Sequence, residues 1–169
     1  CAPPPSASLV RPLTATITGM TGSSQQTSSA PTVAAGEDAS VAVRVLVHSD
    51  NITTRDTVRA AVGRRPARDV EVLSWRECAT SDGVVEAVEA GGLDLLILDG
   101  ESAKLGGMGL CRQLKSEVLG CPPILVLTGR PQDGWLATWS MADAAVAHPL
   151  DPIALADAVA DLARRVAGR

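Results

Sequence analysis

The sequence predicts an α/β domain in which a five-stranded parallel sheet carries helices on both of its faces. From residue 42 onward, short apolar runs alternate with longer amphipathic segments, and five such pairs fit into about 125 residues. The apolar runs are nearly continuous in Val, Leu, Ile and Ala, which is typical of strands that are buried on both faces. Residues that cap or end helices separate the segments.

The strands follow from runs of apolar and β-branched residues that are too short to be helices. "VAVRVLVH" and "PILVL" are typical of buried strands. "AAVA" is expected to form a short last strand. The predicted strands span residues 41–48, 69–74, 94–98, 123–127 and 144–147.

The helices are located by their caps and by apolar residues at helical spacing. Asn51 to Thr54 offer caps for a first helix through "RDTVRAAVGRR". Ser81 or Asp82 begins a second helix that ends at Gly91. The three remaining helices are expected at 109–118, within 132–142 and at 151–167.

Residues 1–41 differ from the rest of the chain because Pro, Ser, Thr and Ala dominate them. They carry three charges, Arg11, Glu37 and Asp38, and show no periodicity. Their apolar surface is too small to offset the entropy of ordering. We therefore predict a disordered tail at 1–41 and a folded domain at 42–169. The more apolar stretch "SLVRPLTATITGM" leaves open docking of the tail on a partner.

Composition and charge disfavour several classes of function. The net charge is −4, and Phe and Tyr are absent, so the basic patches and most aromatic platforms that bind nucleic acids are lacking. No apolar run approaches the roughly 18–20 residues that span a bilayer, so direct membrane insertion is not expected. The four cysteines show neither CxxC spacing nor paired histidines for a zinc site. Reduced thiols of a cytoplasmic protein are the favoured interpretation.

The first residue, Cys1, leaves two interpretations open. It is either the lipid-bearing cysteine that remains after a lipoprotein signal is removed, or an arbitrary first residue of an upstream translation. In the second case Met20 is the true start. The second interpretation is favoured because the remainder of the chain has cytoplasmic character.

Polar residues of types that bind ligands or take part in reactions follow four of the predicted strands. Ser49 and Asp50 follow the first strand, Asp99 the third, Thr128 the fourth and His148 the fifth. In parallel sheets, working residues gather beyond the carboxyl ends of the strands, at the switch in strand order. We therefore expect the side chains of Asp50, Asp99, Thr128 and His148 to share one crevice.

The motifs around these residues are similar to those of receiver domains in two-component response regulators. They are "VLVHSDN" (45–51), "LLILDGES" (95–102), "ILVLTGRP" (124–131) and "AVAHPLDP" (145–152), in the family's order and near its intervals. The resemblance covers residues 43–167 and implies the flavodoxin-like (βα)5 fold. It also implies a signalling domain and not an enzyme.

The resemblance assigns a role to each strand-end residue. Asp99 is the implied phosphoacceptor, and Thr128 and His148 are the implied contacts of the phosphoryl group. Asp50, Asp99 and the backbone carbonyl of Glu101 are the implied ligands of Mg²⁺, a cation that prefers hard oxygen donors.

Three positions depart from the family pattern. Ser49 replaces the first acid of the pair, His148 replaces a lysine, and Ala145 replaces the aromatic switch residue of the fifth strand. The lost carboxylate is expected to weaken Mg²⁺ binding, because affinity follows the charge of the ligands. For Glu101 two alternatives stay open. Its side chain either bends toward Ser49 and restores an oxygen ligand, or it faces solvent.

Two functions stay open. The departures favour a degenerate receiver that binds another protein in one fixed conformation. Trp135 and Trp139, which share one helix face, are either anchors for that partner or core filling. The retained acids and Thr128 keep open a working phosphoacceptor in a phosphorelay that a histidine kinase feeds. Because no output domain follows Arg169, a stand-alone regulator is expected.

The composition resembles that of a high-GC actinobacterium. "DLLILDGE", "GGMGL" and "CPPILVLTGRP" are similar to orphan receivers of mycobacteria that are linked to the respiratory NADH dehydrogenase (complex I). This resemblance implies that complex as the partner, contacted at the inner face of the cell membrane by a cytoplasmic protein. A flavin- or dinucleotide-binding function is disfavoured, since no phosphate loop follows the first strand and no G-x-G-x-x-G follows any strand.

Overall fold

The computed structural model describes residues 40–103 and 106–168. All but the last two residues of the predicted tail at 1–41 lie outside these ranges, as do Cys1 and Met20. The described residues include five strands and five α-helices.

The strands form one parallel sheet. They are β1 (Val41–His48), β2 (Val70–Cys78), β3 (Leu95–Asp99), β4 (Ile124–Thr128) and β5 (Ala144–Ala147). Their order across the sheet is β2-β1-β3-β4-β5, so the direction of chain progression reverses between β1 and β3. Loops that leave these two strands therefore diverge and open a crevice at the carboxyl end of the sheet. The predicted α/β fold is confirmed.

The helices follow the strands in strict alternation. They are α1 (Ile52–Val62), α2 (Ser81–Glu89), α3 (Gly106–Glu117), α4 (Gly134–Trp139) and α5 (Pro152–Ala167). Side chains of Asn51, Thr80 and Asp151 accept hydrogen bonds from the first turns of α1, α2 and α5. None of the described helices combines the length and apolar character that crossing a bilayer requires.

The predicted end of the second strand was wrong. β2 continues to Cys78 and not to residue 74, because the polar stretch "SWREC" extends along β1 as an edge strand. Val43 pairs with Val72 and Arg44 pairs with Ser74, so Leu73 is an extra residue in β2. A bulge of this kind interrupts the alternation that sequence patterns rely on.

Helix boundaries also differ from the predictions. α1 ends at Val62, before Gly63 with its positive φ of 62°. α2 begins at Ser81, one of the two predicted starts, with Thr80 as its N-cap, and it ends at Glu89, before the predicted Gly91. α3 begins at Gly106, so the glycines of "GGMGL" form its first turn and not a preceding loop. Because glycine has a low helix propensity, the sequence did not predict that this turn is helical.

The core consists of two layers, one on each face of the sheet. Alternate residues of the strands point to opposite faces. On one face, Val45, Ile97 and Leu125 pack with residues of α1 and α5. On the other face, Leu46 and Leu96 pack with residues of α2 and α3. Helices on both faces, as predicted, are therefore confirmed.

Close packing between α3 and β3 sets the position of Asp99. Gly107 is buried in the first turn of α3, and a Cβ atom there would collide with the backbone carbonyl of Asp99. Only a residue without a side chain permits this approach. The start of α3 is thereby held against the end of β3.

We expect Gly107→Ala to destabilise the domain by about 1–3 kcal/mol, because the added methyl group forces α3 away from β3. Gly134→Ala is the matched control, since a Cβ at that exposed helical position meets no atom within 4 Å. Urea unfolding followed by circular dichroism measures both variants. Equal midpoints for the two variants would contradict the packing argument.

An ion pair links Asp69, the residue directly before β2, to Arg164 of α5. Hydrogen bonds from the Arg164 guanidinium, at 2.7 and 2.8 Å, lower the pKa of the Asp69 carboxyl from 3.8 to about 2. A depressed carboxyl pKa contributes stability that is complete above the unfolded-state pKa and disappears as the pH falls through the folded-state pKa. This contribution is therefore complete at neutral pH and is lost progressively as the pH falls from about 3.8 to about 2.

We expect Asp69→Asn to lower the urea midpoint at pH 7, and the difference from wild type to vanish as the pH approaches about 2. Urea titrations at a series of pH values measure this convergence. Asp157→Asn serves as a control, because Asp157 is an exposed α5 carboxylate outside the ion pairs of the described residues. A difference that stays constant down to pH 2 would disprove the role of this pair.

Candidate functional site

A crevice of about 320 Å³ lies at the carboxyl end of the sheet, where the strand order reverses. Its lining comes from the end of β3 and its loop, from the residues directly after β1, β4 and β5, and from the first turn of α1. The lining residues are Asp50, Asn51, Thr54, Asp99, Glu101, Gly129 and His148. Three of the four side chains predicted to converge therefore share one crevice.

The fourth residue, Thr128, lies beneath the crevice surface. Its side chain is buried at the end of β4, and its hydroxyl donates a hydrogen bond to the carbonyl of Arg130 at 3.3 Å. Its backbone carbonyl accepts from the N–H of His148 at 2.8 Å. Thr128 therefore joins β4 to the end of β5, with its hydroxyl directed to its own loop.

Asp99 is buried, and protein groups engage both oxygens of its carboxylate. The Ser49 hydroxyl donates to Oδ2 at 2.7 Å, and the backbone N–H of Glu101 donates to Oδ1 at 3.0 Å. Ser49 is itself held in place because its oxygen accepts from the N–H of Asn51 at 3.1 Å. Hydrogen bonds to an ionised carboxylate are stronger than neutral ones. This arrangement stabilises a charged Asp99 without a cation.

Sequence reasoning missed this role of Ser49, since the residue was interpreted only as a lost acid. The signal was present in the residue type, because a serine hydroxyl can donate a hydrogen bond and a carboxylate cannot. What the sequence could not provide was the distance between the ends of β1 and β3.

Asp50 is exposed and bonds to the loop after β3. Its Oδ2 atom accepts from the N–H of Ala103 at 2.9 Å, and its own N–H donates to the Ser102 hydroxyl at 3.3 Å. These contacts fasten residues 102 and 103 over the end of β1. One carboxylate oxygen of Asp50 is thus already used by the chain.

The predicted Mg²⁺ ligands fit that cation poorly in this arrangement. Within residues 40–103 and 106–168, no three His, Cys, Asp or Glu side chains come together as a metal site. Both oxygens of Asp99 and one of Asp50 accept hydrogen bonds from the protein. Mg²⁺ requires oxygen ligands in near-octahedral order. We therefore derive no step that depends on a bound metal.

The side chain of Glu101 is exposed, which agrees with the second alternative, and it makes no hydrogen bond to Ser49 within the described residues. Its carboxylate lines the crevice directly over Gly129. A Cβ atom on Gly129 would collide with that carboxylate. The absence of a side chain on Gly129 therefore leaves room for a third acidic group at the crevice mouth.

The two positions on and directly after β5 that depart from the family pattern have different surroundings. His148 is half-buried and its side chain lines the crevice. Ala145 is exposed on β5, opposite Val126 in the strand register. The methyl group of Ala145 is too small to fill or vacate space beside Thr128 as an aromatic ring would.

Trp135 and Trp139 lie on the surface and not in the core. Their exposed fractions are 66% and 50%, and Met141 beyond them is 43% exposed. The Arg112 guanidinium lies 4.7 Å from the ring centroid of Trp139 and donates to the Trp139 carbonyl at 2.7 Å. We name Arg112, Trp135, Trp139 and Met141 the α4 surface. The core-filling alternative for these tryptophans is wrong, because water reaches both rings.

The described thiols are poor nucleophiles. Cys78 and Cys111 are buried and Cys121 is half-buried, and all three are free. Burial raises the pKa of the Cys111 thiol to about 11 and also raises the pKa of Cys78 and Cys121. The reactive form of cysteine is the thiolate, so the raised thiol pKa values lower the reactivity of these residues at neutral pH.

Comparisons with solved structures agree with the geometry. A receiver domain of a histidine kinase from Syntrophus aciditrophicus has a TM-score of 0.61 at 22% identity, covering 73% of this chain and 92% of that one. The receiver domain of NarL from Mycobacterium tuberculosis has a TM-score of 0.58 at 21% identity, covering 72% and 96%. At these identities the likeness establishes the fold alone.

Sequence comparison establishes the family. No family model matches the chain. Two uncharacterized response regulatory proteins, from two strains of Mycobacterium tuberculosis, are each 54% identical over 127 residues. The match covers 75% of this chain and 96% of each relative. The chain therefore belongs to the response-regulator family, and its described residues form a receiver domain of the CheY-like fold.

Proposed function

We propose that this receiver is a protein-binding adaptor or accessory subunit that acts in one conformation, without phosphorylation of Asp99. The observation that carries the proposal is the hydrogen bonding of Asp99. Ser49 and the Glu101 amide engage both of its oxygens, at 2.7 and 3.0 Å. Hydrogen bonds to an ionised carboxylate are strong, so these two donors lower the nucleophilicity of the oxygens that would attack phosphorus.

The charge of the crevice supports the same proposal. Three carboxylates, those of Asp50, Asp99 and Glu101, line the crevice, and His148 is the one potential cation among the described residues that line it. An approaching phosphoryl group is itself anionic, so it meets repulsion that a lysine and a firmly bound cation would otherwise offset. Weak Mg²⁺ binding, as the sequence predicts, leaves that repulsion largely in place.

The means of transmitting a phosphorylation signal are also reduced. The Thr128 hydroxyl bonds to the Arg130 carbonyl, within its own loop. Ala145 lacks the ring that would move into space released by Thr128. A receiver with these two features has no evident second conformation for a modification to stabilise.

The α4 surface is the proposed contact with the partner. Interface hot spots are enriched in Trp and Arg, and Met is enriched at interfaces generally. Trp135 and Trp139 present large apolar area, while Arg112 stacks on Trp139 and keeps guanidinium donors for an acidic group. The partner, by the resemblance to mycobacterial orphan receivers, is the respiratory NADH dehydrogenase. The adaptor then works in the cytoplasm, at the inner face of the membrane.

A second candidate function is an active phosphoacceptor that a histidine kinase supplies. The observation that favours it is the presence of Asp50, Asp99 and His148 in one crevice of about 320 Å³. Asp99 would accept the phosphoryl group, and Thr128 would have to turn its hydroxyl from Arg130 toward that group. Asp50 and the Glu101 carbonyl remain the predicted Mg²⁺ ligands for this function.

Titration with Mg²⁺ and beryllofluoride separates the two functions. For the adaptor, we expect no saturable change in Trp fluorescence, because Asp99 is hydrogen-bonded and the cation binds weakly. Ser49→Asp should raise Mg²⁺ affinity roughly tenfold, or about 1.4 kcal/mol, by restoring an acid and removing a donor to Asp99. A saturable change in the wild type that Asp99→Asn abolishes would instead establish the phosphoacceptor.

Co-purification from native membranes tests the partner surface. We expect Trp135→Ala with Trp139→Ala to reduce recovery of the NADH dehydrogenase at least roughly tenfold, because two anchor side chains are removed. Leu119→Ala with Ile153→Ala is the matched control, since these residues are 103% and 74% exposed and lie outside the α4 surface. Equal recovery by both double variants would reject the α4 surface. Failure of the complex to co-purify with wild type would reject this partner.

A further inference from the structure

A second cavity lies on the other side of Asp50 from the crevice. Its volume is about 360 Å³, which is within the range of small-molecule sites. The end of β1, the loop from β2 into α2 and the loop after β3 enclose it. Its lining consists of His48, Asp50, Ala79, Thr80, Ser81, Asp82, Ser102 and Ala103.

His48 is the unusual group in this cavity. It is 2% exposed, and its Nδ1 atom is 3.1 Å from the backbone carbonyl of Cys78. A carbonyl oxygen only accepts, so Nδ1 carries the proton of this hydrogen bond. Within residues 40–103 and 106–168, Nε2 of His48 has no hydrogen-bond partner. Every fully buried side-chain nitrogen in these residues has a partner, so Nε2 is not fully buried. Nε2 is therefore at the cavity surface, and in the neutral ring it is an acceptor.

The charged groups of the cavity are acceptors as well. Asp50 and Asp82 both line it, and no salt bridge among the described residues involves either carboxylate. Oδ2 of Asp50 accepts from the Ala103 amide, which leaves Oδ1 available. Asp82 also stands in the first turn of α2, where its charge offsets the positive end of the helix dipole. The cavity consequently disfavours an anion and favours a hydrogen-bond donor.

Hydroxyl and methyl groups complete the lining. The Thr80 oxygen accepts from the Gly83 amide, and the Ser102 oxygen accepts from the Asp50 amide. Each hydroxyl oxygen keeps a second lone pair that can accept a hydrogen bond from a donor on a ligand. The methyl groups of Ala79 and Ala103 provide apolar contact for a short hydrocarbon stem.

The geometry points to a binding site for a small organic cation of the guanidinium or alkylammonium class. The cation donates a hydrogen bond to His48 Nε2, its charge is balanced by Asp50 and Asp82, and its stem contacts Ala79 and Ala103. This site is separate from the Asp99 crevice, and its existence does not depend on the adaptor function. Among the residues that the structure describes, Asp50 is the one that lines both cavities.

Titration of the full chain with agmatine tests this site, because agmatine carries a guanidinium and an ammonium group on a butyl stem. We expect saturable changes in the amide NMR signals of Ala79, Ser102 and Ala103. Asp82→Asn should weaken binding roughly tenfold, since it removes a charged partner of the cation. His48→Phe should abolish binding. If that substitution impairs folding, Asp82→Asn is the decisive variant, because Asp82 is exposed.

Two controls make the test specific. Butylurea has a similar shape without charge and should produce no saturable change. Asp157→Asn, on α5, should bind agmatine as the wild type does. The site is disproved if agmatine produces no saturable change, if butylurea binds equally well, or if Asp82→Asn binds as tightly as the wild type.

Discussion

The hydrogen bond from Ser49 to Asp99 joins the two strands between which the sheet order reverses. It is 2.7 Å long, lies in the buried end of the sheet, and continues through the Asn51 amide into the start of α1. In a water-poor environment such a bond to a carboxylate is strong, and breaking it would leave a buried charge without a partner. The geometry of the whole crevice therefore depends on a contact that a receiver with two acids at this position could not make.

This contact changes what the remaining site residues can do. A buried carboxylate normally requires a cation or donors to balance it, and here Ser49 and the Glu101 amide supply the donors. Asp50 accepts a hydrogen bond from the Ala103 amide and holds the loop after β3. Within the described residues, hydrogen-bond donors of the chain itself thus surround the Asp99 carboxylate.

Asp50 also connects the crevice to the second cavity. A group that binds beside His48 would meet the same carboxylate that holds the Ala103 amide. The α4 surface lies elsewhere, on the α3 side of α4, where Arg112 covers Trp139. The proposed ligand site and the proposed partner surface therefore involve different residues, and any coupling between them would require movement of the loop after β3 or the elements beside it.

The sequence by itself determined the α/β class, the alternation of five strands and helices, and the placement of four polar residues after strands. These follow from local hydrophobic runs and caps, which depend on near neighbours in the chain. The extension of β2 to Cys78, the glycine turn of α3 and the surface position of Trp135 and Trp139 were decided only by tertiary structure. So were the Ser49 bond and the open ring nitrogen of His48, because both depend on distances between residues far apart in the sequence.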